Sequence, residues 1–327
     1  MPKTKFCQGI SDISDSYRAF LIDQGGVLHD GQKAFDGVVD ALKELRGRGK
    51  IVYILGNLPL REKEGKELLK KVGIGPSLYD AIISPGELIW KGLSERKDGP
   101  FENIGNKCYL FHKGGPHTFL SDLDLEFVDD ISKADFALVT GWDKLAKPVQ
   151  LLEEELRNAI RHKVRLICAV PDTYALLSMD YLMNVGLLVR RYQELGGVVY
   201  NIGKPYKYLF NYCIQKLHGH DIYPGQTVMV GDTMAHDMLG ASMMEIDTCL
   251  VKSGFHAGAF RSCRSLADID RVLSSLIAQF SNTRPTYMID TFVWGRALPD
   301  RKHRKRRELT PRRGRRPRRA TEDSQDA

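Results

Sequence analysis

The stretch Ala19-Phe20-Leu21-Ile22-Asp23-Gln24-Gly25-Gly26-Val27-Leu28-His29-Asp30-Gly31 decides how the rest of the chain is read. Ala19 to Ile22 is a short apolar run that ends on the carboxylate of Asp23, and two glycines follow. A run of that kind, bounded by turn formers, predicts a buried strand.

From there the sequence alternates short apolar runs with amphipathic stretches. Val38, Val39, Leu42 and Leu45 predict a helix over 35–45, ended by the Gly47/Gly49 pair. Ile51 to Leu55 is the next strand, a charged helix follows over 61–72, and Ser84-Pro85-Gly86 opens another. A second series has strands at Cys108, before Gly141 and over 165–170, with a long helix from Pro148 to His162. A helix around 187–195 then leads to Val198–Gly203, a helix over 206–217, a strand over 227–230 and a helix over 234–241. A strand at 247–251, a helix over 266–278 and a last strand at Thr286–Asp290 complete the pattern. Strands separated by helices imply an α/β fold with parallel pairing and right-handed crossovers. In such a sheet every strand-to-helix loop leaves from the carboxyl edge, so residues far apart in sequence meet there.

Composition narrows the class. The chain has 327 residues, 43% hydrophobic and 27% charged, enough for a sizeable core and unlike collagen or a disulfide miniprotein. No apolar run approaches the ~20 residues that span a bilayer, and the first residues form no hydrophobic signal segment. An intracellular, cytoplasmic protein is the expectation. The formal charge is +7, but the residues from Asp300 to Ala327 carry 12 basic and 5 acidic side chains, which accounts for all of it. The remaining body is neutral and, on charge grounds, binds no nucleic acid. Six cysteines without a CxxC pair read as free thiols in a reducing compartment.

Four loops carry suggestive chemistry: Asp23 with Gly25 and Gly26; Gly56-Asn57, where backbone can approach an anion; Gly203-Lys204-Pro205; and Gly231-Asp232 through Asp237. Each alone has a plainer explanation, namely a turn or N-cap aspartate, a solvated lysine at a helix start, or a common Gly-Asp pair. Their order along the chain, each at a strand-to-helix loop, favours a joint role. Converging carboxylates with a lysine and Gly-rich amides suit Mg²⁺ and a phosphate, and a carboxylate in line with phosphorus is a nucleophile.

These motifs resemble the haloacid dehalogenase (HAD) superfamily of phosphotransferases over about residues 17–294. The most specific matches are Gly26–Gly31 (GVLHDG), Tyr192–Pro205 and Val230–Ala241. The resemblance is to subclass IIA, which has an α/β cap inserted after the second motif, and to a group whose first motif also ends in GVLHDG. It implies a Rossmann-like doubly wound core over 1–84 and 191–295, a cap over 85–190 that reads the substrate, and a disordered basic tail over 296–327. It also implies that Asp23 is nucleophile and Mg²⁺ ligand, that the Gly25 carbonyl and Asp232 are further ligands, and that Asp237 acts at the ion directly or through water. Lys204 would bridge nucleophile and phosphate. Gly26, Gly56 and Asn57 would contact the phosphate, and Asp172 would be a substrate contact in the cap. The substrate implied is a small phosphorylated metabolite.

Two positions depart from the pattern. Gly25 stands where most such phosphatases have a second Asp that protonates the leaving alkoxide, a contribution of ~10²–10⁴-fold. Gly56 stands where a Ser or Thr hydroxyl is usual. His29 and Asp30 are candidate substitutes for the missing acid. The departures keep open a scaffold that binds Mg²⁺ and a phosphorylated ligand, or a macromolecular partner, without turnover. The Arg/Lys-rich run 301–319 leaves open a nuclear-import or nucleic-acid contact, set against a solvated appendage.

Overall fold

The computed structural model describes residues 3–111, 118–140, 149–169 and 179–295, with backbone alone for 179–184. Twelve strands occur among them: β1 (Lys5–Phe6), β2 (Ala19–Asp23), β3 (Ile51–Leu55), β4 (Ala81–Ile83), β5 (Lys107–Leu110), β6 (Glu126–Phe127), β7 (Phe136–Val139), β8 (Arg165–Cys168), β9 (Val199–Asn201), β10 (Thr227–Gly231), β11 (Asp247–Val251) and β12 (Tyr287–Ile289). They form two sheets, ordered β1-β12-β11-β10-β2-β3-β4 and β6-β5-β7-β8-β9. All the pairings are parallel.

In the larger sheet the chain runs β2, β3, β4 toward one edge and β10, β11, β12 toward the other. Strand order therefore reverses between β2 and β10, and this kind of junction opens a crevice at the carboxyl edge. The register sets Ile22 beside both Val230 and Ile54, so the residues that follow these three strands emerge side by side.

The strand β9 belongs to the smaller sheet, where Val199 pairs with Leu166. The sequence reading placed it in the first body; its apolar pattern marks a strand without indicating which sheet receives it. Lys204 thus enters the site on the segment returning from the second sheet. The tail from residue 296 and Asp172 lie outside the described residues.

Several helix boundaries moved for local reasons. The first long helix is Val38–Gly47, because Gly37 adopts a φ of 84° that no helix continues through, and it buries Val38, Ala41, Leu42 and Leu45. Helix Pro85–Glu95 starts as expected, with the Ser84 hydroxyl accepting the Glu87 N–H. The helix expected from Pro148 begins at Glu153, after a 3₁₀ turn over Val149–Leu151. Pro205 does not open a helix: Lys204–Pro205 is a cis bond and the helix is Lys207–His218.

One apolar cluster contains residues of both sheets, including Leu21, Leu55 and Met229 from the larger and Cys108, Phe136, Leu138 and Ile167 from the smaller. Leu88, Ile89, Leu209 and Phe210, from the helices Pro85–Glu95 and Lys207–His218, belong to the same cluster. Burial of this kind contributes ~25 cal/mol per Å² of apolar area. No helix among the described residues is long and apolar enough to cross a membrane.

Apolar packing shared by the two sheets is expected to couple their unfolding. In urea, the far-ultraviolet and tryptophan signals are expected to give coincident transitions. Leu138→Ala, which empties a buried site in the smaller sheet, should lower both midpoints together at a cost of ~2–5 kcal/mol. Separate transitions would show that the cluster does not couple the sheets.

Candidate active site

At the crevice between β2 and β10 the side chains of Asp23, Asp232 and Asp237 converge, with one oxygen of each lying within 4.8 Å of the others. The Lys204 ammonium sits among them, 2.5 Å from Asp23 Oδ1 and 2.7 Å from Asp237 Oδ1. Its Nζ also lies 3.5 Å from the Leu55 carbonyl. Burial alone would lower the lysine pKa, but the two carboxylates overcome this and raise it, so Lys204 stays charged.

The three carboxylates differ in surroundings. Asp237 accepts from Lys204 on Oδ1, and on Oδ2 from the Thr233 hydroxyl at 2.6 Å and the Thr233 and Asp232 amides at 3.0 and 3.2 Å. Burial pushes its carboxyl up, but the Lys204 charge and these donors outweigh it and hold Asp237 below the usual range. The wide π-helical turn Met234–Met238 allows this fold-back, and it replaces the first turns of the helix expected over 234–241.

Asp232 has no such relief. Its Oδ2 accepts the Phe255 amide at 2.7 Å, while its Oδ1 receives no hydrogen bond from the described residues. Burial, followed by the charges of Asp23 and Asp237, pushes its carboxyl up to about 8. Asp23 is raised to about 6, mainly by burial, with Lys204 opposing.

Glycines shape the crevice. At Gly26 φ is 79°, and a Cβ there would fall 2.0 Å from Asp232 Oδ2; one at Gly254 would fall 2.1 Å from the same oxygen. Backbone from two loops thus closes on that carboxylate as no larger residue permits. A Cβ at Gly25 meets nothing within 4 Å, and the Gly25 carbonyl accepts no hydrogen bond from the described residues.

This donor set fits Mg²⁺. Three carboxylates face one ammonium, so the cluster carries an excess of negative charge in a buried setting. A free carboxylate oxygen of Asp232, the Asp23 carboxylate and the Gly25 carbonyl are the hard oxygen donors that the ion prefers. Both oxygens of Asp237 are already in use, which suits it to holding Lys204.

Other sequence candidates sit elsewhere or act differently. The Asn57 carboxamide clamps the Lys204 backbone, accepting its N–H at 2.8 Å and donating to its carbonyl at 3.1 Å. Asp30 is exposed and accepts the Lys33 and Gln32 amides, which hold its carboxyl below the usual range and leave it no proton to give at neutral pH. His29 is buried, its Nδ1 accepts the Gly31 amide, and burial lowers its pKa. Asp30 is therefore unsuited to stand in for the missing acid, while the buried Nε2 of His29 has no hydrogen-bond partner among the described residues. The sequence reading missed Gln24, whose side chain lies against Gly56.

A parallel α/β fold with carboxylates and one lysine at its switch point has the donor set that a divalent ion and a phosphorylated ligand require. Comparison with known proteins agrees with that chemistry. The family model described as haloacid dehalogenase-like hydrolase matches residues 20–126, and a second, described as HAD-hydrolase-like, matches 201–279. The first segment contains Asp23 and Asn57, and the second Lys204, Asp232 and Asp237. The acid sugar phosphatase of Staphylococcus saprophyticus is 24% identical over 245 residues, 73% of this chain and 88% of that protein. The Escherichia coli ribonucleotide monophosphatase NagD is 22% identical over 253 residues, 76% of this chain and 90% of its own length. A haloacid dehalogenase-like hydrolase from Brucella suis superposes with a TM-score of 0.65 at 20% identity, covering 90% of this chain and 100% of that one. The chain belongs to the haloacid dehalogenase superfamily, in its subclass IIA.

The raised carboxyls set a pH dependence. A carboxyl with a folded pKa above its unfolded value near 4 stabilises the fold at low pH, and that contribution is lost as pH rises through the folded pKa. The ion-free protein should therefore lose thermal stability between pH 5 and 8.5, by at most ~1.4 kcal/mol per pH unit for one group. Mg²⁺ binds the ionised forms, so the rise in Tm that it gives should grow over the same interval. Thermal melts at the two pH values, with and without Mg²⁺, measure this; a Mg²⁺ shift independent of pH, or unchanged in Asp232→Asn, would contradict it.

Proposed function

We propose that the protein is a Mg²⁺-dependent phosphohydrolase acting on a small phosphorylated metabolite through an aspartyl-phosphate at Asp23, with turnover weakened by Gly25. The observation that carries this reading is the bridge from Lys204 Nζ to Asp23 and Asp237, with Asp232 completing the cluster. Relatives named as sugar and nucleotide monophosphatases support the reaction class.

In this reading Asp23 attacks phosphorus, a new O–P bond forms, and the bond to the leaving alkoxide breaks. Water later cleaves the acyl phosphate, returning Asp23 and releasing phosphate. Lys204 holds the nucleophile in place and offers positive charge to the phosphoryl oxygens. Asp237 keeps that lysine charged and fixed. Asp23, Asp232 and the Gly25 carbonyl would hold Mg²⁺ directly and Asp237 through water, and the ion would supply further charge neutralisation. The space beside Gly26 is held by Asp232 and that beside Gly56 by Gln24, so these two glycines would meet the phosphate through backbone alone.

Gly25 limits both steps, because no side chain there can protonate the alkoxide or activate water. Substrates whose leaving groups depart without a proton escape the first limit. The same glycine supports a second reading, a scaffold that binds Mg²⁺ and the phosphorylated ligand without turnover. The cap role of 85–190, the substrate contact of Asp172 and any contact made by the tail at 301–319 remain proposals from the sequence.

A phosphate-release screen over phosphorylated metabolites tests the main reading. Asp23→Asn should abolish release. Gly25→Asp should raise it ~10²-fold or more, because the new side chain enters open space at an unstrained position. Equal release by wild type and Asp23→Asn would overturn the catalytic assignment. Ligand-induced stabilisation without release in either wild type or Gly25→Asp would favour the scaffold.

A further inference from the structure

Beside Asp23 lies a side-chain amide with no hydrogen-bond partner among the described residues. Gln24 is only 7% exposed, and its side-chain carboxamide makes no hydrogen bond to any described residue. Its nitrogen and oxygen are not sealed from solvent, so the amide is open to a ligand entering beside Asp23.

The position is specific. An ideal Cβ on Gly56 would lie 2.7 Å from Gln24 Nε2 and 3.2 Å from its Cδ. The Gln24 amide therefore fills the space into which a side chain at position 56 would grow, and this arrangement has room for only one of the two. Gly56 itself is framed by the lysine. Leu55, before it, presents its carbonyl to Lys204 Nζ, and Asn57, after it, clamps the Lys204 backbone. The unpaired N–H₂ group is thus packed against the backbone segment that frames the Lys204–Asp23 bridge.

We infer that Gln24 is a phosphate-binding residue, donating from Nε2 to a phosphoryl oxygen and doing from position 24 what a hydroxyl at position 56 would do. The inference rests on the phosphohydrolase reading and deepens it. The carboxamide is a neutral donor, so it adds no charge to a cluster whose balance is set by Lys204 and the ion. It supplies a directional bond to an anionic oxygen, a stronger class of hydrogen bond than one between neutral groups. Gly56 is then the position that makes space for this donor.

The test uses the full chain, with inorganic phosphate as probe and calorimetry in saturating Mg²⁺. Gln24→Met keeps the volume and removes the donor; it should weaken phosphate binding about 10- to 100-fold. Mg²⁺ affinity and the thermal midpoint of Gln24→Met should match wild type, which separates a lost contact from a damaged fold. The double variant Gln24→Ala/Gly56→Ser, which moves the donor across the gap, should recover part of the loss. Gln24→Met binding phosphate as tightly as wild type would overturn the inference and leave the phosphohydrolase reading standing. Wild type that binds no phosphate with Mg²⁺ present would overturn both.

Discussion

The ammonium of Lys204, shared between Asp23 and Asp237, is the contact around which this site is built. Taking one positive and two negative groups out of water is costly, and only mutual attraction with close hydrogen bonds offsets it. Removing one member of such a set typically costs ~3–5 kcal/mol, because the others are left buried and unpaired. The surrounding architecture serves that contact. The clamp from Asn57 fixes the lysine backbone, and the π-helical turn after β10 lets Asp237 fold back on its own loop. The switch point between β2 and β10 brings Asp23 and Asp232, at the ends of adjacent strands, to one place.

Once the lysine is satisfied, an imbalance remains that defines the chemistry. Asp232 keeps an oxygen free and a carboxyl pushed upward, while Asp237 has neither. The cluster is therefore divided between a carboxylate fully engaged by the protein and two with the capacity to hold a cation. The glycines at 25, 26 and 56 belong to the same division. Gly26 is required by contact with Asp232, Gly25 leaves empty volume, and Gly56 yields its volume to Gln24.

Much of this was legible in the sequence because a parallel sheet turns strand ends into neighbours. Asp23, Lys204, Asp232 and Asp237 could be placed together once each was seen to follow a strand, and the structure does bring them to one point. What escaped depends on three dimensions. The partner of β9 is a choice between two sheets, and the period of an apolar run cannot make it. Asn57 was read as a place where backbone can approach an anion; that its carboxamide also holds backbone 147 residues away had no sign in the sequence. The turn at Met234 looked helical because its spacing is nearly so; the Asp237 hydrogen bonds that widen it are tertiary in origin. Gln24 gave no signal, since a polar residue in a glycine-rich loop ordinarily faces solvent.

The apolar cluster common to the two sheets has a bearing on traffic to and from the crevice. Pulling the sheets apart would bare apolar surface within this shared cluster, to which the helices Pro85–Glu95 and Lys207–His218 also contribute, at a cost proportional to the area exposed. Whole-body hinging of the kind that opens two-lobed binding proteins is thereby penalised.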